Sequence, residues 1–440
     1  MRDVKTLNKY APGMPSKVIR HAMTFALATC PSIALSQSQG QSLGQQTDWL
    51  QRISSKAYLD FRLQHFEGNN SWLDAGTGHS RFDHDHNGRP LLADAAAEIK
   101  VDLKPGSQLV TQIHAYPEQT SGIEVTELYW QYRPLRKGKV RSRWRLGMFY
   151  PKMSIENRGS VWSSIYGLNY SAINTWFAEE LRTVGLEGNW RWVIASPTAH
   201  THHKLNASIN LALFAFNDPT GAILSWKGWS NHDRQSGWDS SLPFYPAPGV
   251  AAAENPQAKR YQPFREIDDR PGFYASFGLS RRKQFKAEVY YYDNQAEDTA
   301  FHNGQYAWRT RFWHLGAHYF LQSDIELYGQ YMSGDTSMGR GFVLNDLESA
   351  YIGLSKSSGP HRLSVRFERA TVEDRDTTPM DNNNESGNSF NINYSYYLAP
   401  HWKFSAEYQQ RRSRQHRRHY RGERRYAKED QLSFSARYYF

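Results

Sequence analysis

One pattern recurs along this chain: stretches of about ten residues in which apolar and polar side chains alternate with period two. In 430–440, Leu432, Phe434, Ala436, Tyr438 and Phe440 share one parity, while Gln431, Ser433, Ser435, Arg437 and Tyr439 share the other. Successive side chains of a strand point to opposite faces, so the stretch reads as a strand with one apolar and one wet surface. Leu205, Ala207, Ile209, Leu211, Leu213 and Ala215 oppose Asn206, Ser208 and Asn210 in the same way. So do Phe390, Ile392, Tyr394, Tyr396 and Leu398 against Asn391, Asn393 and Ser395. About ten residues is also what a tilted strand needs to cross a bilayer.

The pattern predicts sixteen strands: 57–66, 91–103, 108–116, 123–133, 140–149, 183–193, 204–216, 271–280, 284–293, 305–320, 323–333, 346–357, 361–371, 388–398, 401–411 and 430–440. Strands this strictly two-sided need lipid on one face, water on the other and no orphan edge. The expected fold class is therefore all-β, a transmembrane antiparallel barrel of about sixteen strands. Residues 222–229 also alternate, but counting them as a strand breaks the even parity, so they are placed in a loop; eighteen strands stay open.

The links agree. Short turns carrying Gly, Pro or polar residues (Lys104-Pro105-Gly106, Lys137-Gly138, Arg281-Arg282-Lys283, Leu321-Gln322, Ser358-Gly359-Pro360, Ala399-Pro400) alternate with the longer segments 67–90, 150–182, 217–270, 294–304, 334–345, 372–387 and 412–429. Short links on one side and long ones on the other are the habit of membrane barrels. The long-side link 117–122 is short and the short-side link 194–203 is long. The polar average fits too, at 39% hydrophobic and 14% aromatic residues, because only every second strand residue faces lipid.

Residues 1–36 read as a secretory signal. Lys17 and Arg20 flank an apolar core at 22–28 and 33–35, and Ala34-Leu35-Ser36 offers small residues for cleavage, with Met14 an alternative start to Met1. Residues 37–56 are expected to form a periplasmic leader and 57–440 the barrel, exported through the periplasm. The single cysteine, Cys30, lies in the signal, so no disulfide or thiolate site is expected in the mature chain. Removing the leader, with five Lys/Arg and one acid, takes the net charge from +10 to about +6. In an exported protein that points to anionic solutes or lipopolysaccharide phosphates and away from nucleic acid.

Two resemblances sharpen this. A last strand ending on Phe440, with Phe434 and Tyr438 on the same face, resembles the terminal strand of bacterial outer-membrane barrels and implies recognition by the barrel-assembly machinery. The run Leu146-Gly147-Met148-Phe149-Tyr150-Pro151-Lys152, then Glu156-Asn157, then Glu180-Leu181-Arg182-Thr183-Val184-Gly185-Leu186-Glu187-Gly188, resembles the phosphate-selective (O/P-type) porins. The resemblance implies a sixteen-stranded homotrimer in the bacterial outer membrane, with an outer loop folded into the lumen. That family's phosphate ligands have no residue-by-residue match here.

Candidate functional residues follow from parity and charge. Lys139, Arg141, Arg143 and Arg145 form a ladder on one face of a strand. Charge on the lipid face is costly, so the ladder should face the lumen, either as an anion pathway or paired to Glu98, Asp102 or Glu124. The loop 150–182, with Lys152, Glu156, Arg158, Glu179, Glu180 and Arg182, is the candidate constriction; Trp162, Tyr166, Tyr170 and Trp176 could stack on sugars or simply pack. Arg411, Arg412, Arg414, Arg417, Arg418, Arg421, Arg424 and Arg425 are placed in the last long segment, to bind lipopolysaccharide phosphates or funnel anions. Asp83, Asp85, Asn87 and Asp94 have calcium-loop spacing but no bidentate Glu or flanking helices, and His200, His202 and His203 read as a solvated turn. No cofactor and no nucleophilic triad is expected. The reading is a diffusion porin with an anion bias; the alternatives are a sugar or carboxylate channel, or a non-conducting barrel that acts on lipid or contacts lipopolysaccharide.

Overall fold

The computed structural model describes residues 51–118, 122–135, 138–196, 203–245, 257–322 and 324–440. Sixteen antiparallel strands close into one barrel. The first eight are β1 (Ile53–Glu67), β2 (Leu91–Lys104), β3 (Ser107–Ala115), β4 (Glu124–Tyr132), β5 (Val140–Phe149), β6 (Thr183–Ala195), β7 (Leu205–Ala215) and β8 (Gly272–Arg281). They are followed by β9 (Phe285–Asp293), β10 (Arg309–Phe320), β11 (Ile325–Met338), β12 (Val343–Ser358), β13 (His361–Asp374), β14 (Glu385–Leu398), β15 (Trp402–Gln415) and β16 (Tyr426–Tyr439). Each pairs with its sequence neighbours, and β1 closes on β16 from Tyr58 opposite Tyr439 to Glu67 opposite Asp430. The count is sixteen, so the eighteen-strand option falls. β1 begins at Ile53, ahead of the expected start of the barrel at 57; residues 1–50 and the histidines at 200 and 202 lie outside the described residues.

The faces divide as the parity requires. Phe434 is 49% exposed on the outer wall while its neighbour Ser433 is 1% exposed on the inner one. The alternation places Leu213, Trp313, Leu315, Ile352 and Phe367 on the outside as well, all exposed. Turns at one end are tight: Gly106, at φ +78°, takes a left-handed conformation, and a Cβ there would collide with the Arg133 carbonyl. Long links gather at the other end.

The segment 222–229 is neither strand nor surface. Ala222–Lys227 form a buried helical turn, called α2 here, after helix α1 (Ala172–Glu180). An apolar alternation in six residues cannot distinguish a strand from a buried helical turn.

Candidate functional site

The polar inner faces do not enclose a plain column of water. Two long links fold into the bore and satisfy the wall's side chains. The first is 150–182. Its Ile155 N–H donates to Gln330 of β11 (3.1 Å), and its Ala172 N–H to Glu368 of β13 (2.7 Å). Glu407 of β15 accepts from the Leu168 and Asn169 N–H groups at 2.6 and 2.9 Å. Tyr166 stacks on Tyr328 at 3.7 Å and Trp162 on Tyr150 at 4.2 Å, while Trp176 meets Phe312 edge-on at 5.4 Å. Tyr166 and Trp176 are buried in these contacts, and Trp162 is half-buried.

The second is a strap, residues 228–240, which crosses the interior between the β13–β15 wall and β4. At one end the Trp229 N–H donates to Glu385 of β14 (3.0 Å) and its indole N–H to the Thr371 carbonyl (2.9 Å). At the other the Gly237 N–H donates to Glu124 (2.7 Å) and the Trp238 N–H to the Val125 carbonyl (2.9 Å). Only glycine fits at Gly228, where φ is +80° and a Cβ would meet the Glu385 carboxylate. Midway, Asp233 sits between Arg62 of β1 and Arg81, whose Nε is 2.9 Å away, and Arg62 also holds Asp60 at 2.8 Å. His232 and Lys227 clasp Glu179 of the first loop at 2.8 and 2.9 Å. Charges this deeply buried persist only when paired and hydrogen-bonded, and here they are.

The structure corrects the constriction set in part. Glu156 accepts from the Ser171 N–H (2.9 Å) beside Arg366, and Glu180 caps α2 by accepting from the Ile223 and Leu224 N–H groups at 2.9 and 3.0 Å. Arg182 donates to the Ser236 carbonyl and lies 3.9 Å from the Tyr150 ring centre. With Glu179 these groups are buried and hold loop to loop, so they do not line an open path. Lys152 stays exposed, and Arg158 reaches Glu326 at 3.4 Å.

The ladder is graded along β5. Arg145 is buried and bidentate to Glu187 of β6 (2.8 and 2.7 Å), which also takes Arg143 at 3.3 Å and the Tyr274 hydroxyl at 2.6 Å. Glu98, Asp102 and Glu124 are not the partners: β5 pairs with β6 in a register that sets Arg145 opposite Glu187. Towards the short-turn end, Arg141, Arg143, Arg133 and Arg191 line a cavity of about 930 Å³, and Lys139 is exposed beyond them. A second cavity, of about 780 Å³, opens at the long-loop end beside Asp74, Asp85, Glu118 and Arg234.

The basic run at 411–425 splits by parity, and much of it belongs to β15 rather than to a loop. Arg411 faces in and holds Glu385 at 2.9 Å, and Arg418 is buried against the Thr77 and Ser413 carbonyls at 3.3 Å. These two are not a surface funnel. Arg412, Arg414, Arg421, Arg424 and Arg425 are exposed, and Arg417 is half-buried.

The calcium spacing does not assemble. Both Asp94 carboxylate oxygens are taken inside the barrel, by the Tyr58 hydroxyl (2.6 Å) and the His114 ring (3.1 Å). Asp83 accepts from the Asp85 N–H (3.1 Å) and Asn87 from the Phe66 N–H (2.6 Å). A different carboxylate group does converge: Asp218, Glu266 and Asp268 have oxygens within 4.8 Å of one another. Backbone N–H groups already occupy it, from Phe216 at 2.8 Å and Asp268 at 3.4 Å, and burial pushes Asp218 up to about 8.

With this geometry in place, known proteins can be compared. Residues 249–416 match the Gram-negative porin family model. The match covers β8 to β15, whereas the porin resemblance in the sequence lies at 146–188, so the two rest on separate stretches. No curated protein matches the chain. Among solved structures, the outer-membrane channel DcaP of Acinetobacter baumannii aligns with a TM-score of 0.50 at 9% identity, over 88% of this chain and 97% of that one. Salmonella typhi OmpF in complex with daunomycin aligns at 0.47 and 10% identity, over 88% and 97%. The anion-selective porin from Comamonas acidovorans aligns at 0.46 and 11%, over 88% and 99%. At 9% identity the DcaP likeness shows a shared barrel fold alone.

Proposed function

We propose that this protein is an outer-membrane porin that lets small hydrophilic solutes diffuse passively, with a preference for anions and no chemistry of its own. The observation that carries the proposal is the closed sixteen-strand barrel with apolar residues outside and polar residues inside, with residues 249–416 matching the porin family model. The two inward links narrow the bore, and the open part of the ladder biases its charge. Arg133, Arg141, Arg143 and Arg191 line the short-turn mouth with no carboxylate among the lining residues. Assembly as a homotrimer, delivery by the barrel-assembly machinery and lipopolysaccharide contacts by the exposed Arg412 and Arg414 belong to the same proposal. Purified protein in planar bilayers is expected to give stepwise ohmic conductance. The packed strap favours a second reading, a barrel that does not conduct; silent bilayers with a correctly folded barrel would select it.

A further inference from the structure

Among the described residues, the wall is open at the short-turn end between β4 and β5. β4 pairs with β5 only from Leu128 opposite Met148 to Tyr132 opposite Trp144, five residue pairs, while β5 pairs with β6 over ten. Among the described residues, Val140–Arg143 therefore have a strand neighbour on the β6 side only. The 930 Å³ cavity sits in this notch. Its lining has two characters: Arg133, Arg141, Arg143 and Arg191 on one side, Tyr132 and Trp190 on the other.

The arginines are placed against their own electrostatics. Arg141 lies directly opposite Arg191 in the β5–β6 register, with Arg143 two residues along the same face. Like charges directly opposite on paired strands repel. Glu187, on the same inner face, is already bidentate to Arg145, and the link 133–139 carries no acidic residue at all. Arg143 shares Glu187 with Arg145 at 3.3 Å, and no ion pair to Arg133, Arg141 or Arg191 is seen among the described residues.

Its level in the membrane is marked by aromatic residues. Trp130 stacks on Tyr132 at 5.8 Å, and Trp144 meets Trp190 edge-on at 5.1 Å. Such girdles sit at headgroup height.

We propose that the notch between β4 and β5 binds the phosphate of an anionic phospholipid, with guanidinium forks on its oxygens and its glycerol and upper chain against Tyr132 and Trp190. The cavity is far larger than inorganic phosphate needs, and its apolar side faces the bilayer. The assignment of this end to the phospholipid leaflet rests on the porin reading, in which short turns face the periplasm. Bound lipid supplies the missing counter-charge and so regulates the anion bias of this mouth.

The test is native mass spectrometry of the full-length protein in detergent, offered phosphatidylglycerol or phosphatidylcholine, with folding checked by heat-modifiable electrophoresis. Phosphatidylglycerol is expected to be retained at least tenfold better. Arg141→Ala with Arg191→Ala should abolish that difference, and Arg141→Lys with Arg191→Lys should keep part of it, which covers a variant that fails to fold. Lys204→Ala with Arg282→Ala removes the same charge from other short turns and should change nothing. Equal retention of both lipids, equal loss in the control, or displacement of phosphatidylglycerol by low-millimolar inorganic phosphate would each overturn the proposal. Silent bilayers with selective retention would remove the channel reading and leave the lipid site standing.

Discussion

At the residue scale the decisive groups are buried charges, and they behave differently according to partner. Glu187 holds two arginines and a tyrosine. Glu187→Gln leaves Arg145 buried without a counter-charge, which costs about 3–5 kcal/mol for a broken buried pair. The expected outcome is a lower urea midpoint for the refolded barrel, and an unchanged midpoint would contradict the assignment. Glu179 gives a pH prediction. Burial pushes its carboxyl up, but the Lys227 ammonium and the His232 ring outweigh burial and hold it down at about 2. Its ordinary value is about 4.3, so the stabilisation is full above that pH and is lost as pH falls towards 2. Burial also lowers His232, which keeps the ring neutral and adds a loss below its ordinary value of about 6.5. Hydrogen exchange across 228–238, corrected for intrinsic rate, should therefore be faster at pH 3 than at pH 7.

At the element scale, all sixteen strands were legible because each carries its own evidence: a local alternation and a flanking turn. β5 begins and ends where its pattern does, at 140 and 149. The strap was not legible. Trp229-Ser230-Asn231-His232-Asp233-Arg234-Gln235-Ser236 is polar and reads as solvated loop, yet all of it is buried. Its polarity is satisfied by groups such as Arg62, 171 positions from Asp233, and no local period can reveal a pairing of that span. Parity did predict that Arg145 faces inwards, but it could not name Glu187, because the partner depends on the β5–β6 register. The arginines at 411–418 were misplaced for a related reason: strand β15 runs on to Gln415, past the point where its outer face turns from apolar to charged. If the strap narrows the bore, replacing 229–237 by a short Gly-Ser linker should raise single-channel conductance several-fold. Unchanged conductance would place the water path elsewhere.

At the scale of the whole molecule, the fold is a membrane barrel whose interior is divided by its own loops, with cavities left at the two mouths. At the short-turn mouth Arg133, Arg141 and Arg191 have no acid among the lining residues, whereas deeper in Arg145, with Arg143 beside it, is held by Glu187. Selectivity is thus expected to come from the outer part of the ladder. Arg145→Ala should harm folding more than selectivity, which heat-modifiable electrophoresis beside bilayer recordings can separate. The most direct test is the reversal potential of the purified protein under a potassium chloride gradient, in bilayers of neutral phosphatidylcholine. The predicted result is an anion preference that collapses when Arg141, Arg143 and Arg191 are changed to Ala. A cation preference in the unmodified protein, or an anion preference untouched by the triple change, would contradict the account.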